Sequence, residues 1–174
     1  TSLLLVNIEG DYKSKRHHNW IYVYDEDKLS TRVSFIETLS KNNTPKDKTG
    51  IQIEVYYSKK KPLSLSENEI KEKVCQEMLD MNLIDKIDAV HSKNIEHANI
   101  VCDRFRKESM NIIFNELEKY GLKREKNDLL PFDDWNSYEN LKKGDLILAG
   151  RFGQWKYYWT DDCVLRGKAI SESI

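Results

Sequence analysis

Glycine is scarce. Seven glycines in 174 residues form no GxGxxG pattern, the turn that cradles a dinucleotide pyrophosphate between a strand and a helix. A tight dinucleotide site built from these residues alone is therefore not expected. Cysteine is scarce too. Cys75, Cys102 and Cys163 are odd in number and make no CxxC, which argues against a disulfide framework or a zinc ribbon. A reducing, cytosolic setting fits best. No apolar run approaches the roughly 20 residues that span a bilayer, and no signal peptide is recognisable. Neither sign of charge dominates: 28 Lys and Arg against 29 Asp and Glu leave a net −1. A dedicated nucleic-acid binder usually carries a basic excess. No GxSxG elbow, HExxH or P-loop occurs. His91, His97 and Cys102 match no compact zinc spacing, so no metal site is expected. His17-His18 and Lys59-Lys60-Lys61 read as solvated surface.

What is present is a highly charged surface around an ordinary core. Charged residues make up 33% and hydrophobic ones 39%, and the 4 Trp, 9 Tyr and 5 Phe need burial. The length suits one domain. The first third reads as strands. Leu3 to Ile8 is a continuous apolar run, compatible with a strand buried on both faces. Trp20 to Tyr24 is aromatic and β-branched. Thr31 to Ile36 puts Val33 and Phe35 on one face. Ile51 to Tyr57 puts Ile51, Ile53, Val55 and Tyr57 on one face, with Gln52, Glu54 and Tyr56 on the other. Short polar links predict an antiparallel meander.

Two helices follow. Ser66 and Glu69 form a capping box, and Ile70, Val74, Met78 and Met81 recur at helical spacing. The second helix starts near Asp103 and ends at Gly121, a C′ glycine. Phe105, Ile112, Ile113, Leu117 and Tyr120 form its apolar stripe, with Arg104, Arg106, Lys107 and Glu108 charging the other sides. Between them, Ile87 to Val101 contributes one or two strands. Residues 123–145 are polar and read as a surface loop or insertion. LILAGR at 146–151 reads as a strand, and Thr160-Asp161-Asp162 opens a last helix.

Segment 146–170 carries the chemistry. A strand ending in Gly150-Arg151 places a cation a few residues before a helix N-terminus. Unpaired N–H groups and the helix dipole there favour anionic or electron-rich ligand atoms. Phe152, Trp155, Tyr157, Tyr158 and Trp159 either line a pocket or form a buried aromatic corner.

GRFGQWKYYWTDD followed by an apolar helix resembles the C-terminal flavin-contact segment of the UDP-galactopyranose mutases and of the FAD-dependent amine oxidase and protoporphyrinogen oxidase-like proteins. HANIVCDRFRKESMNIIFNELEKYGL at 97–122 resembles the family segment before it. NWIYVYDEDKLSTRVSF resembles a strand pair of the substrate domain. The resemblance implies an FAD-binding parent with three parts here: a substrate-domain-like region at 1–122, a loop or insertion at 123–145, and a flavin-contact strand and helix at 146–174. It implies that Gly150 and Arg151 lie on the FAD ribityl–pyrophosphate side. Thr160, Asp161, Asp162 and Cys163 would offer backbone N–H groups to the flavin ring. Tyr157 and Tyr158, with Trp155 beside them, would contact substrate, for instance a nucleotide sugar, and Lys156 is a further candidate. The mutases carry Asp directly after Tyr-Tyr; Trp159 stands there here, which favours a relative with another reaction. With GxGxxG absent and Thr1 leading straight into an apolar run, the chain reads as a piece of a longer enzyme, inactive alone, lacking its N-terminal dinucleotide-binding domain.

The expected fold is α+β: an antiparallel sheet of about five to seven strands with the helices at 66–82 and 103–120 on one face, the sheet roofing a flavin. The expected function is part of an FAD-dependent oxidoreductase, with a role in polysaccharide or lipopolysaccharide biosynthesis. The rivals are a stand-alone ligand- or protein-binding module and a plain structural domain with all its aromatics in the core.

Overall fold

The computed structural model describes residues 2–12, 14, 16–132 and 141–173. The chain divides into two compact units, Thr1–Asn99 and Ile100–Ile174.

The first unit is a five-stranded antiparallel sheet with one helix. Its strands are β1 (Ser2–Asp11), β2 (Trp20–Tyr22), β3 (Arg32–Phe35), β4 (Thr49–Tyr57) and β5 (Lys86–Ile95), and helix α1 is Glu67–Asp80. The strand order is β2-β3-β4-β1-β5. The expected meander is confined to β2-β3-β4. β1 inserts between β4 and β5, pairing with both. Its apolar run explains this, because a central strand is flanked on both edges. Its faces differ, however. Leu4, Val6 and Ile8 are buried in the core, whereas Leu5 and Asn7 on the opposite face are half-buried.

Period-two alternation decides which face is buried. Val33 and Phe35 from β3, and Ile51, Ile53 and Val55 from β4, join Leu4, Val6 and Ile8. Helix α1 covers this face with Ile70, Val74 and Met78. Each such burial is worth about 1.5–3 kcal/mol. The helix begins where the sequence says. Ser66 accepts from the Glu69 amide while the Glu69 side chain takes the Ser66 amide. It ends at Asn82, whose φ of 53° lets the Leu83 amide reach back to the Met78 carbonyl. Near Glu9 and Gly10 the β1–β5 register shifts. A Cβ on Gly10 would lie 1.9 Å from the Lys86 carbonyl oxygen, so only glycine fits there.

The second unit contains α2 (Arg106–Glu118), a short α3 (Gly150–Gly153) and α4 (Thr160–Ser173). Helix α2 starts later than expected, after Asp103 accepts from the Phe105 amide. It closes as expected, with Gly121 at φ 90° and the Leu122 amide bonded to the Leu117 carbonyl. The strand expected at 146–151 does not form. Leu146 makes a single parallel bridge to Leu122, and Gly150 turns to φ 79°. A lone bridge gives a strand no ladder, and the left-handed glycine starts α3 instead.

Residues 123–132 are stitched to the helices by arginines. Arg166, 1% exposed, gives both terminal nitrogens to Glu125, at 3.0 and 2.7 Å, and also donates to the Leu148 carbonyl. Arg124 pairs with Asp128 and lies over the Phe114 ring. The apolar core here is small: Ile100, Met110, Phe114 and Tyr158. Residues 133–140 of the expected loop lie outside the described residues.

Candidate functional site

The chemistry expected at 150–163 rests on how α2 holds the aromatic loop. Arg106 is buried. Its Nε donates to the Trp155 carbonyl at 2.7 Å and its Nη1 to the Leu129 carbonyl at 2.6 Å. Trp155 takes a left-handed φ of 49°, a conformation that costs a large side chain energy unless its surroundings fix it. The Trp155 indole N–H adds a bond to the Val101 carbonyl. The loop is therefore pinned on both sides of its turn.

This pinning gathers four of the expected residues. Arg151 donates to the Tyr158 carbonyl at 3.2 Å, and its guanidinium lies 5.5 Å from the centroid of the Tyr157 ring. The Tyr157 hydroxyl accepts from the Cys102 amide. Lys156 and Tyr158 are buried, with the ammonium 5.9 Å from the Tyr158 ring centroid. The exposed aromatics of the cluster are Phe152 and Trp159, the latter 73% exposed. Gly150 stands just before this cluster, and a Cβ added to it would meet no described atom within 4 Å.

Helix α4 follows. The Trp159 amide donates to the Asp162 carboxylate at 2.8 Å, and the Cys163 amide bonds to the Trp159 carbonyl. The N–H groups of Thr160, Asp161 and Asp162 are the ones an α-helix leaves without intrahelical partners. Thr160 and Asp161 are exposed. Two acids in the first turn offset the positive end of the dipole. The terminus therefore suits a neutral, electron-rich acceptor better than a free anion. Among the described residues no group of His, Cys, Asp and Glu is placed to hold a metal, and no helix is long and apolar enough to cross a membrane.

The first unit holds a second polar constellation that sequence reasoning passed over. The sheet face opposite α1 carries Tyr22, Arg32 and Glu54 in one cross-strand row, and Trp20, Ser34, Gln52 and Asn7 in the next. Arg32 donates to one Glu54 carboxylate oxygen and the Tyr56 hydroxyl donates to the other. Gln52 donates to Asn7 at 3.3 Å. Burial opposes the Arg32 charge, but Glu54, Tyr22 and Tyr56 outweigh it and hold the guanidinium above its ordinary value. Burial, then the Glu54 carboxylate, pushes the Tyr56 hydroxyl up to about 12. The alternation of Gln52, Glu54 and Tyr56 was the available signal. A buried acid among them marks the face as more than solvated surface.

Comparison with solved structures adds a fold likeness. The chain superposes on a reduced UDP-galactopyranose mutase with a TM-score of 0.66 at 19% identity, over 90% of its own length. It superposes on a protein assigned as a protoporphyrinogen oxidase from Exiguobacterium sp. 255-15 with a TM-score of 0.56 at 13% identity, over 98%. At these identities the likeness is one of fold. The α+β architecture of this chain is that of the matching regions of these two proteins. The chain spans 29% and 34% of their respective lengths. No protein-family profile matches the sequence, and no curated protein matches it.

Proposed function

We propose that this chain is the substrate-binding sheet and C-terminal flavin-contact segment of a cytosolic FAD-dependent oxidoreductase. The observation that carries the reading is local. The stretch that resembles the flavin-contact segment, Gly150 to Cys163, is held by Arg106 and Arg151 and runs directly into the first turn of α4.

The residues fit the group. Thr160, Asp161 and Asp162 form a first turn whose dipole is offset by acids, which matches the neutral carbonyl edge of a flavin pyrimidine, whereas the Cys163 amide, expected to join them, is taken by the Trp159 carbonyl. Gly150 leaves its backbone open to a close ribityl approach, and Arg151 supplies the cation on the pyrophosphate side. The flavin, when bound, supplies the redox chemistry. This chain's own residues orient substrate: Trp155 and Tyr157 stand half-buried within the segment and Phe152 and Trp159 present exposed rings, whereas Tyr158, expected to contact substrate, is buried and packs in the core.

The second unit also carries apolar surface suited to a further domain. Phe105, Ile112, Ile113 and Tyr120 are exposed along α2, and Val164 along α4. Patches of this kind mark interaction sites. We assign them to a dinucleotide-binding domain carrying the GxGxxG that these residues lack. A polysaccharide or lipopolysaccharide biosynthetic role accords with the likeness to a sugar-nucleotide mutase. A stand-alone binding module is the alternative, favoured only by the exposure of Phe152 and Trp159.

The test is to express the longer polypeptide containing this segment, purify it, and release its cofactor with acid. Released FAD supports the reading. A colourless protein that takes up no added FAD contradicts it.

A further inference from the structure

We propose that the second unit builds a binding site for a single internal water molecule. This water accepts from the Nε–H of Arg166, donates to the side-chain oxygen of Gln154, and so clamps the aromatic loop to α4. The site stands on the packing of this unit alone and holds whether or not the flavin reading does.

Two buried polar atoms carry the inference. Arg166 and Gln154 are 1% and 5% exposed. Arg166 gives both terminal nitrogens to Glu125 and one of them also to the Leu148 carbonyl. Its Nε is buried with no partner among the described residues, and so is the Gln154 side-chain oxygen. A buried donor or acceptor left unmet costs its full desolvation, so native structures rarely leave two together. One of these atoms is a donor and the other an acceptor, yet they do not bond each other. Both residues line one cavity of about 20 Å³. A water needs roughly 10–15 Å³ of such space and about two to four polar partners. The cavity has room for one water and not for two.

The surrounding charges select a neutral ligand. The Glu125 and Asp128 carboxylates line the same cavity, so an anion there would meet two like charges. A cation would meet the Arg166 guanidinium, which stays protonated. An apolar occupant would leave both orphan atoms unmet. Water accepts from Arg166, donates to Gln154, and keeps a second O–H for the carboxylates. Phe114, Leu122 and Leu148 supply an apolar wall that slows its escape. Gln154 directly precedes the left-handed Trp155, and Arg166 sits on α4. The water is therefore a second tether for the turn that Arg106 holds from α2.

The test is a water-selective NOE spectrum of the intact nitrogen-labelled chain, read at the arginine Nε–H signals. A resident water gives Arg166 a cross-peak whose sign marks a long-lived contact. Exchange of the Nε proton itself is told apart by its acceleration with pH. The cross-peak is expected in the unaltered chain. It should vanish in Gln154→Met, which keeps the length of the side chain and removes the acceptor. Amide exchange at Gln154 and Lys156, which bond to the Gly150 and Arg151 carbonyls, should then quicken about tenfold, the equivalent of one lost hydrogen bond. Three results overturn the proposal. One is no such cross-peak at Arg166 in the unaltered chain. Another is a cross-peak that survives in Gln154→Met. The third is exchange at Gln154 and Lys156 left unchanged when that substitution is made. If Gln154→Met does not fold, the unaltered chain decides: the cross-peak at Arg166 supports the site, and its absence refutes it.

Discussion

Arg106 on α2 holds the carbonyl of Trp155 at 2.7 Å, across 49 positions of sequence. The same guanidinium reaches the carbonyl of Leu129. One side chain therefore fixes the turn that places Arg151, Tyr157 and α4.

Removing it should loosen that turn. Arg106→Ala leaves the Trp155 and Leu129 carbonyls without their donor, and each unsatisfied buried group costs about 1–3 kcal/mol. We expect a stability loss of about 3 kcal/mol, read as a lowered urea midpoint. Hydrogen exchange should speed up at Lys156 and Tyr157, whose amides bond to Arg151 and Pro131 carbonyls. Unchanged exchange there would show that the loop holds itself.

Glu77 is the corresponding tether in the first unit. It is buried and accepts from the Leu29 and Ser30 amides and the Ser30 hydroxyl. Glu77→Ala strands these donors and should cost about 2–4 kcal/mol. A variant of full stability would rule out the tether.

Gly10→Ala tests the close approach of β1 and β5. The added methyl would overlap the Lys86 carbonyl. A loss of about 1–3 kcal/mol or more is expected in thermal unfolding. A neutral result would mean that β5 shifts freely at this point.

Tyr56 gives the chain a signature at high pH. Its proton is held more tightly in the fold, at about 12 against an ordinary 10.0. The resulting stability is fully present below pH 10 and is lost as pH rises through about 12. Tyrosinate absorbance should therefore show one late-titrating group that disappears in Tyr56→Phe. A titration curve unaltered by that substitution would show that burial and Glu54 together do not hold the proton.

Much of this was legible in the sequence because local rules sufficed. Alternation at 51–57 placed Ile51, Ile53 and Val55 in the core, and Ser66 with Glu69 fixed the start of α1. Gly121 marked the close of α2. Long-range pairing was not legible. Nothing local says that β1 inserts between β4 and β5, or that Arg32 meets Glu54 across strands. The apolar LILA run at 146–149 has the composition of a strand, but composition supplies no neighbour, and the backbone turns at Gly150. The left-handed Trp155 follows from a buried arginine 49 positions away, not from its own neighbours.

The flavin reading is tested most directly at Arg151, in the longer polypeptide that contains this segment. The measurement is the ratio of flavin to protein absorbance after gel filtration, for that polypeptide and for its Arg151→Ala variant. The account predicts bound FAD in the first. It predicts a loss of roughly tenfold or more in retention in the second, since a charge-assisted contact is worth about 1.5–3 kcal/mol. Circular dichroism should show both folded. Equal flavin content in the two proteins, or none in either after FAD is supplied, would contradict it.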